Sequence, residues 1–302
     1  MPIFSDHIFR LTKMAINIFM LTAQFRYSVK DIWLIAYTIV LGLVPFFIIN
    51  YQISFWVLLL TFPVHAWLIT NLQNSCLHHH SHWPTFYNKK LNFAYEILLS
   101  IVGGIPHQIW KYHHLKHHIH VNDKPIDGKT KDPVSVFLHG KNNEVQNFWL
   151  FCFKMTKEAF VKMVVFPKFG KQVNHTKQIL EQLAFNFYFL SFFVLDLHYG
   201  LYFAALYFLA FFLNGATSYG EHWTVLDRRG DTTQDSIGIY SRWYNIIGFG
   251  AGFHQEHHNK PNMHWTTLST ITPNMHPNRV IKAGMHITNC PYWDHFKLLF
   301  RR

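Results

Sequence analysis

The sequence predicts an all-α integral membrane protein in which four transmembrane helices carry a cytoplasmic helical cap with a histidine-ligated dimetal site. Three observations predict it. Half of the 302 residues are hydrophobic, only 14% are charged and phenylalanine occurs 30 times, a composition that suits a lipid-facing surface better than a water-facing one. All 27 Lys and Arg lie within 1–30, 89–177 or 228–302, which leaves 31–88 and 178–227 free of them. Three histidine clusters lie close to those two cation-free stretches in the sequence.

At the N-terminal end, residues 14–25 are mildly apolar behind Arg10 and Lys13, but Gln24-Phe25-Arg26 offers no small-residue cleavage site. An interfacial helix is expected there rather than a secretory signal. The first cation-free stretch is long enough for two crossings, at 32–50 and 53–70, joined by a turn at Tyr51-Gln52. A crossing needs about 20 residues at ~1.5 Å rise to cover ~30 Å of hydrocarbon. The second helix is expected to run on through Asn71-Leu72-Gln73-Asn74 to His78 and His82, with Pro84 just beyond. Residues 91–105, closed by Gly103-Gly104-Ile105-Pro106, read as interfacial or partly inserted. Residues 148–165 carry Lys154, Lys157, Glu158 and Lys162 on an apolar background, which suits a helix lying in the interface. The second cation-free stretch holds crossings at 179–197 and 199–213, turning at His198, and the last continues through 214–218 to Glu221 and His222.

By the positive-inside rule, both termini, 71–178 and 214–302 face the cytoplasm, and all three histidine clusters fall on that side. The chain is expected to be one membrane domain over 1–302, with 1–30 a cytoplasmic segment, 31–70 and 179–213 two transmembrane hairpins, and the remainder the cap. Cys76, Cys152 and Cys290 form no CxxC pair and read as unpaired thiols of a reducing compartment. The net charge of +11 suits a membrane surface or an anionic carrier, and no nucleic-acid partner is expected.

The clusters are His78-His79-His80-Ser81-His82, His113-His114-Leu115-Lys116-His117-His118 and His254-Gln255-Glu256-His257-His258. Spacings of i, i+3 and i+4 place imidazoles a turn apart on one helix face, where they can converge on metal. Imidazole suits iron, zinc, copper and nickel, and eight of them exceed one ion's needs, so the pattern points to two metals. His78 and His82 share a face, which leaves His79 and His80 supporting or exposed. His114, with His117 and His118, makes the tighter single face and is preferred over His113. His120, His139, His175, His264, His276, His286 and His295 lack such spacing and are expected not to be ligands. His65, inside the second crossing, is expected to make an internal hydrogen bond. Gly248-Phe249-Gly250-Ala251-Gly252 imitates a phosphate loop without a strand before it, and close packing beneath His254 is the better account.

These motifs resemble those of the membrane fatty-acid desaturase and hydroxylase superfamily, over about residues 70–265. The run Trp110 to His118, with Asn122 and Asp132-Pro133 after it, is similar to the family's second box, and Gly252 to His258, followed by Pro261 and Trp265, to its third. The segment Ser218-Tyr219-Gly220-Glu221-His222-Trp223 resembles a further element of alkane hydroxylases, with serine in place of asparagine. The resemblance implies His78, His82, His114, His117, His118, His222, His254, His257 and His258 as ligands of two iron ions. Ser218, Glu221, Glu256 and His113 are candidates for the surrounding shell, Ser218 through its hydroxyl and the two glutamates through imidazole N–H groups. It also implies that O₂ and two external electrons remove hydrogen from the methylenes of a fatty acyl chain carried by acyl-carrier protein, coenzyme A or lipid.

Loss of a second hydrogen gives a double bond, and a repeat of that step an acetylenic one; return of oxygen gives an alcohol. Desaturase is the first reading, and a hydroxylase of an alkane or acyl chain the second. A histidine-rich metal transporter or haem carrier would want ligands at bilayer depth and ranks far behind. No HPGG element of a fused b-type cytochrome occurs, so electrons are expected from a separate ferredoxin, rubredoxin or b-type cytochrome.

Overall fold

The computed structural model describes residues 23–123, 130–134, 146–164, 172–226, 236 and 238–271. Among these the chain is helical, with no strand beyond a single bridge between Phe25 and Phe86. Most of the interfacial helix expected at 14–25 lies outside the described residues, and its last three residues are not helical.

Helix α1 (Ile32–Asn50) and helix α2 (Phe55–Leu72) form the first hairpin. Helix α2 does run on, but through one π-helical turn, Gln73–Leu77, into the short α3 (His78–His82). One extra residue per turn rotates the helix beyond it by about 100°, so this turn sets the face on which His78 and His82 emerge. Side chains absorb the disturbed backbone: Ser75 Oγ donates to the Asn71 carbonyl at 2.5 Å, and Gln73 Nε2 to that of Gly103 at 2.7 Å. The break at Trp83 comes from Pro84, which disfavours helix in the residue before it.

Helix α4 (Lys89–Gly103) starts on Asn88, whose side chain accepts from the Lys90 amide, and stops at Gly104 with φ 76°. Gly104 is required there, because a Cβ would fall 2.6 Å from the Tyr207 ring. Helix α4 packs on α1 and on α7 (His175–Leu195), with Tyr95, Leu99 and Val102 buried under the first histidine cluster. Helix α5 (His107–Ile119) carries the second cluster across α3. Helix α6 (Phe148–Val164) lies against α8 (Leu197–Leu226), burying Phe151 and Cys152 against Ala216 and Tyr219. Helix α7 begins before the expected 179 because Asn174 caps it from outside the apolar run. After α9 (Arg242–Ile247), the third cluster forms α10 (His254–Asn259).

Among the described residues four spans are long and apolar enough to cross a membrane: Val29–Asn50, Phe55–His82, His175–Leu195 and Leu197–His222. Their outer surfaces need lipid, since Trp56, Leu60, Phe187 and Val194 each leave 75–87% of their area uncovered. Inside, Phe185, Phe192, Phe203 and Tyr207 pack against Ala66 and Ile69. Within the spans, Thr70 Oγ1 donates across helices to the Ala210 carbonyl at 2.9 Å. His65 sits beside the Tyr202 hydroxyl, at 3.5 Å. The histidines gather at the end of both hairpins opposite the turns near Tyr51 and Asp196. Cys76 and Cys152 are buried free thiols, and Cys290 lies outside the described residues.

Candidate metal centre

Nine imidazoles converge in two adjoining groups. The first holds His78 and His82 from α3, His114 and His118 from α5, and His257 from α10, with one nitrogen of each lying within 4.8 Å of the others. Nε2–Nε2 separations are 2.9 Å for His78–His257, 2.7 Å for His82–His114, 3.0 Å for His114–His118 and 2.9 Å for His118–His257. The second joins His117 of α5, His222 of α8 and His258 of α10, and His222 is shared with a set containing Glu221 and His254. His222 Nε2 lies 3.2 Å from both His117 Nε2 and His254 Nε2.

The two boxes of pattern HxxHH divide in complementary ways. In α5 the i,i+4 pair His114 and His118 faces the first group while His117, off to the side, faces the second. In α10, His257 faces the first group, whereas His254 and His258 stand ring to ring at 4.5 Å beside the second. Each helix therefore reaches both groups, and His118 and His258 abut at 4.4 Å between centroids.

Hydrogen bonds behind the rings decide the tautomers. His78 Nδ1 donates to the Asn74 carbonyl at 3.2 Å, and His117 Nδ1 to Asp132 Oδ1 at 2.9 Å. Their Nε2 atoms are then bare lone pairs facing other ring nitrogens. The buried Nε2 of His258 has no hydrogen-bond partner. Lone pairs packed together repel unless a cation lies among them. Two nitrogens bound side by side to one metal at ~2.0–2.1 Å lie about 3 Å apart, which matches these separations. The donor set fits a pair of transition metal ions.

Asp132 is the support that spacing alone did not single out; its place in the resemblance was its only signal. Its carboxyl is fully buried and held below its ordinary range: burial opposes the charge, and the His117 hydrogen bond and the Val134 amide outweigh it. It also accepts the Asn122 amide at 3.0 Å. Asp132→Asn is expected to lower metal affinity about 10–100-fold with the helices intact, read by metal titration beside circular dichroism.

The remaining expected residues lie around these groups. His113 turns away from both and accepts from Lys162 Nζ at 2.9 Å. Ser218 and Glu221 line a neighbouring cavity, and Glu221 Oε2 is 3.5 Å from His254 Nε2. Glu256 is buried beside Tyr240 and outside both groups. The expectation that His79 and His80 might be exposed is corrected, because both are buried: His79 Nε2 donates to the Phe249 carbonyl, and His80 Nδ1 meets Thr85 Oγ1. His120, His175 and His264 belong to neither group, while His139, His276, His286 and His295 lie outside the described residues. A further buried set, Glu96, His107 and Glu181, lies elsewhere, with Lys177 at 2.5 Å from Glu96 as its counter-charge.

Burial, then neighbouring imidazoles, push His114, His254, His257 and His258 well below the ordinary 6.5. His118 is pushed down to about 2 for the same reasons. Depressed folded values mean that the unfolded chain binds more protons below its own value. The metal-free protein is therefore expected to keep full stability above about pH 6.5 and to lose up to about 1.4 kcal/mol per pH unit for each such histidine below it. Melting of apoprotein in detergent from about pH 8 to pH 5 checks this; a flat profile would contradict it.

Beside both groups a cavity of ≈ 170 Å³ lies between α5, α6 and α8. Ile105, Trp110, Met155 and Ala159 line it, with His78 and His114 from the first group and His117 and His222 from the second.

With that geometry in place, the comparison with known families decides the class: the family model described as Fatty acid desaturase matches residues 53–288. The chain belongs to the fatty acid desaturase family. No curated protein and no solved structure matches it. The match begins at the second crossing and includes all three boxes and His222, so membership covers every residue of both groups. Desaturase-type oxidoreductase activity on a lipid substrate, metal dependence and a membrane setting come with the family.

Proposed function

We propose that this protein is an O₂-dependent fatty acyl desaturase whose nine histidines hold two iron ions. The observation that carries this reading is the apolar cavity flanked by imidazoles at the head of four membrane spans. A bound di-iron pair supplies the reductive activation of O₂ needed to break an unactivated C–H bond. Overall, a –CH₂–CH₂– unit, O₂, two electrons and two protons become –CH=CH– and two waters. A repeat on the same carbons would give an acetylenic bond.

The chain's own residues do the rest. Asn74 and Asp132 hold His78 and His117 in the metal-binding tautomer. Ile105, Trp110, Met155 and Ala159 exclude water and fix the methylenes against the flank. The site faces the cytoplasm, because the Lys and Arg of 89–177 and 228–302 stay on that side. Those cations suit the anionic head of an acyl-coenzyme A, an acyl-carrier protein or a lipid, and electrons come from a separate ferredoxin, rubredoxin or b-type cytochrome. The second reading, hydroxylation, is favoured by the Ser218–Trp223 element alone.

Acyl-chain mass spectrometry of cells expressing wild type beside His257→Ala tests this. A product lighter by two hydrogens and dependent on His257 supports desaturation, and cleavage at the new bond locates it. A product heavier by one oxygen moves the chain to the hydroxylases. Transport of metal without any oxidised product would overturn both.

A further inference from the structure

Glu221 lies one residue before His222 on α8 and faces the same cavity. Its carboxylate oxygen lies within 4.8 Å of the ligating nitrogens of His222 and His254, and its side chain is only 12% exposed. Among the described residues no lysine or arginine pairs with it, and its closest charged-type neighbour is His254 at 3.5 Å. Lys162, also on the cavity, is committed to Glu158 at 2.6 Å and to His113. An ionised carboxylate so little exposed beside neutral imidazoles is costly unless a proton or a cation lies among them.

Among the described residues the first group contains no carboxylate; His78 is backed by a neutral backbone carbonyl. The second has Asp132 behind His117 and Glu221 beside His222 and His254. We propose that Glu221 is a direct ligand of the second metal, so that the two metals are chemically inequivalent. One is held by five neutral imidazoles, the other by four imidazoles and a carboxylate. The harder, anionic set favours the higher oxidation state at the second position.

This rests on the two-metal reading and on no assumption about the product. The test titrates Co²⁺ into purified metal-free protein in detergent, following stoichiometry and visible absorption. Wild type, Glu221→Gln, Glu221→Asp and His82→Ala are compared. Wild type is expected to bind two ions per chain with two distinguishable spectra. Glu221→Gln is expected to weaken one ion by at least about 10–100-fold and to change its spectrum alone, and Glu221→Asp to restore most of that binding. His82→Ala is expected to weaken the other ion. Two ions bound by Glu221→Gln with wild-type affinities and spectra would overturn the carboxylate ligand and leave the two-metal centre standing. Fewer than two ions on wild type would overturn the centre itself.

Discussion

Replacing His257 with alanine is expected to reduce product formation to below about 1% of wild type while the membrane helices remain assembled. His257 is the one residue that α10 contributes to the first group, and its Nε2 is 2.9 Å from those of both His78 and His118. Its loss leaves four imidazoles from α3 and α5 with an open side toward α10. Changes behind a ligand already cost about 10–100-fold in affinity, and removal of the ligand itself is expected to exceed that. The fold should survive, because the spans are held by contacts such as Phe192 on Phe203, far from the site. Metal analysis, turnover and circular dichroism of the purified variant check this together. Turnover retained in His257→Ala, and again in His222→Ala, would remove both from the ligand set.

The second large effect concerns Gly252, two residues before His254. A Cβ there would sit 2.1 Å from the Ile239 carbonyl oxygen and 2.7 Å from Asn245 Oδ1. Neither neighbour can yield easily. The Ile239 amide donates to the Gly252 carbonyl at 2.6 Å, and Asn245 Nδ2 holds the Ile239 carbonyl at 2.7 Å. The strain must therefore pass into α10, displacing His254, His257 and His258 together. Gly252→Ala is expected to cost about 3 kcal/mol, at the upper end of overpacking, and to impair both metal positions. Gly250 offers the control. It has φ 76°, but its nearest neighbour would lie 3.5 Å from an added Cβ, so Gly250→Ala is expected to cost only about 1–2 kcal/mol of backbone strain. Thermal melting with metal content for the pair separates the two causes; equal effects would mean that packing under the third box is not what Gly252 provides.

Helix existence was legible because both signals behind it are local. Cation-free apolar runs mark the spans and Pro84 the end of α3, whereas α4 and α7 start ahead of the expected 91 and 179, on caps at Asn88 and Asn174 that the apolar runs do not include. The choice of His114 over His113 was also local, since a helix of period 3.6 sends them about 100° apart, and His113 meets Lys162 instead. The burial of His79 and His80 was less visible. The partner of His79, the Phe249 carbonyl, comes from a segment 170 positions away whose approach no short-range pattern announces, whereas His80 meets Thr85 just beyond the break at Pro84.

By itself the sequence determined the apolar runs of the spans and the segments that carry the histidine boxes. Length, hydropathy, charge placement and i,i+3/i+4 spacing are properties of single segments. The tertiary structure alone decided how each HxxHH box is shared between two groups, that α3 is rotated by the π-helical turn, and that Asp132 and Glu221 stand beside histidines of the second group. Those outcomes depend on the relative rotation of α3, α5, α8 and α10 about their own axes. That rotation is set by packing between residues more than a hundred positions apart, as at Asn74 and Asn214, which meet at 2.7 Å.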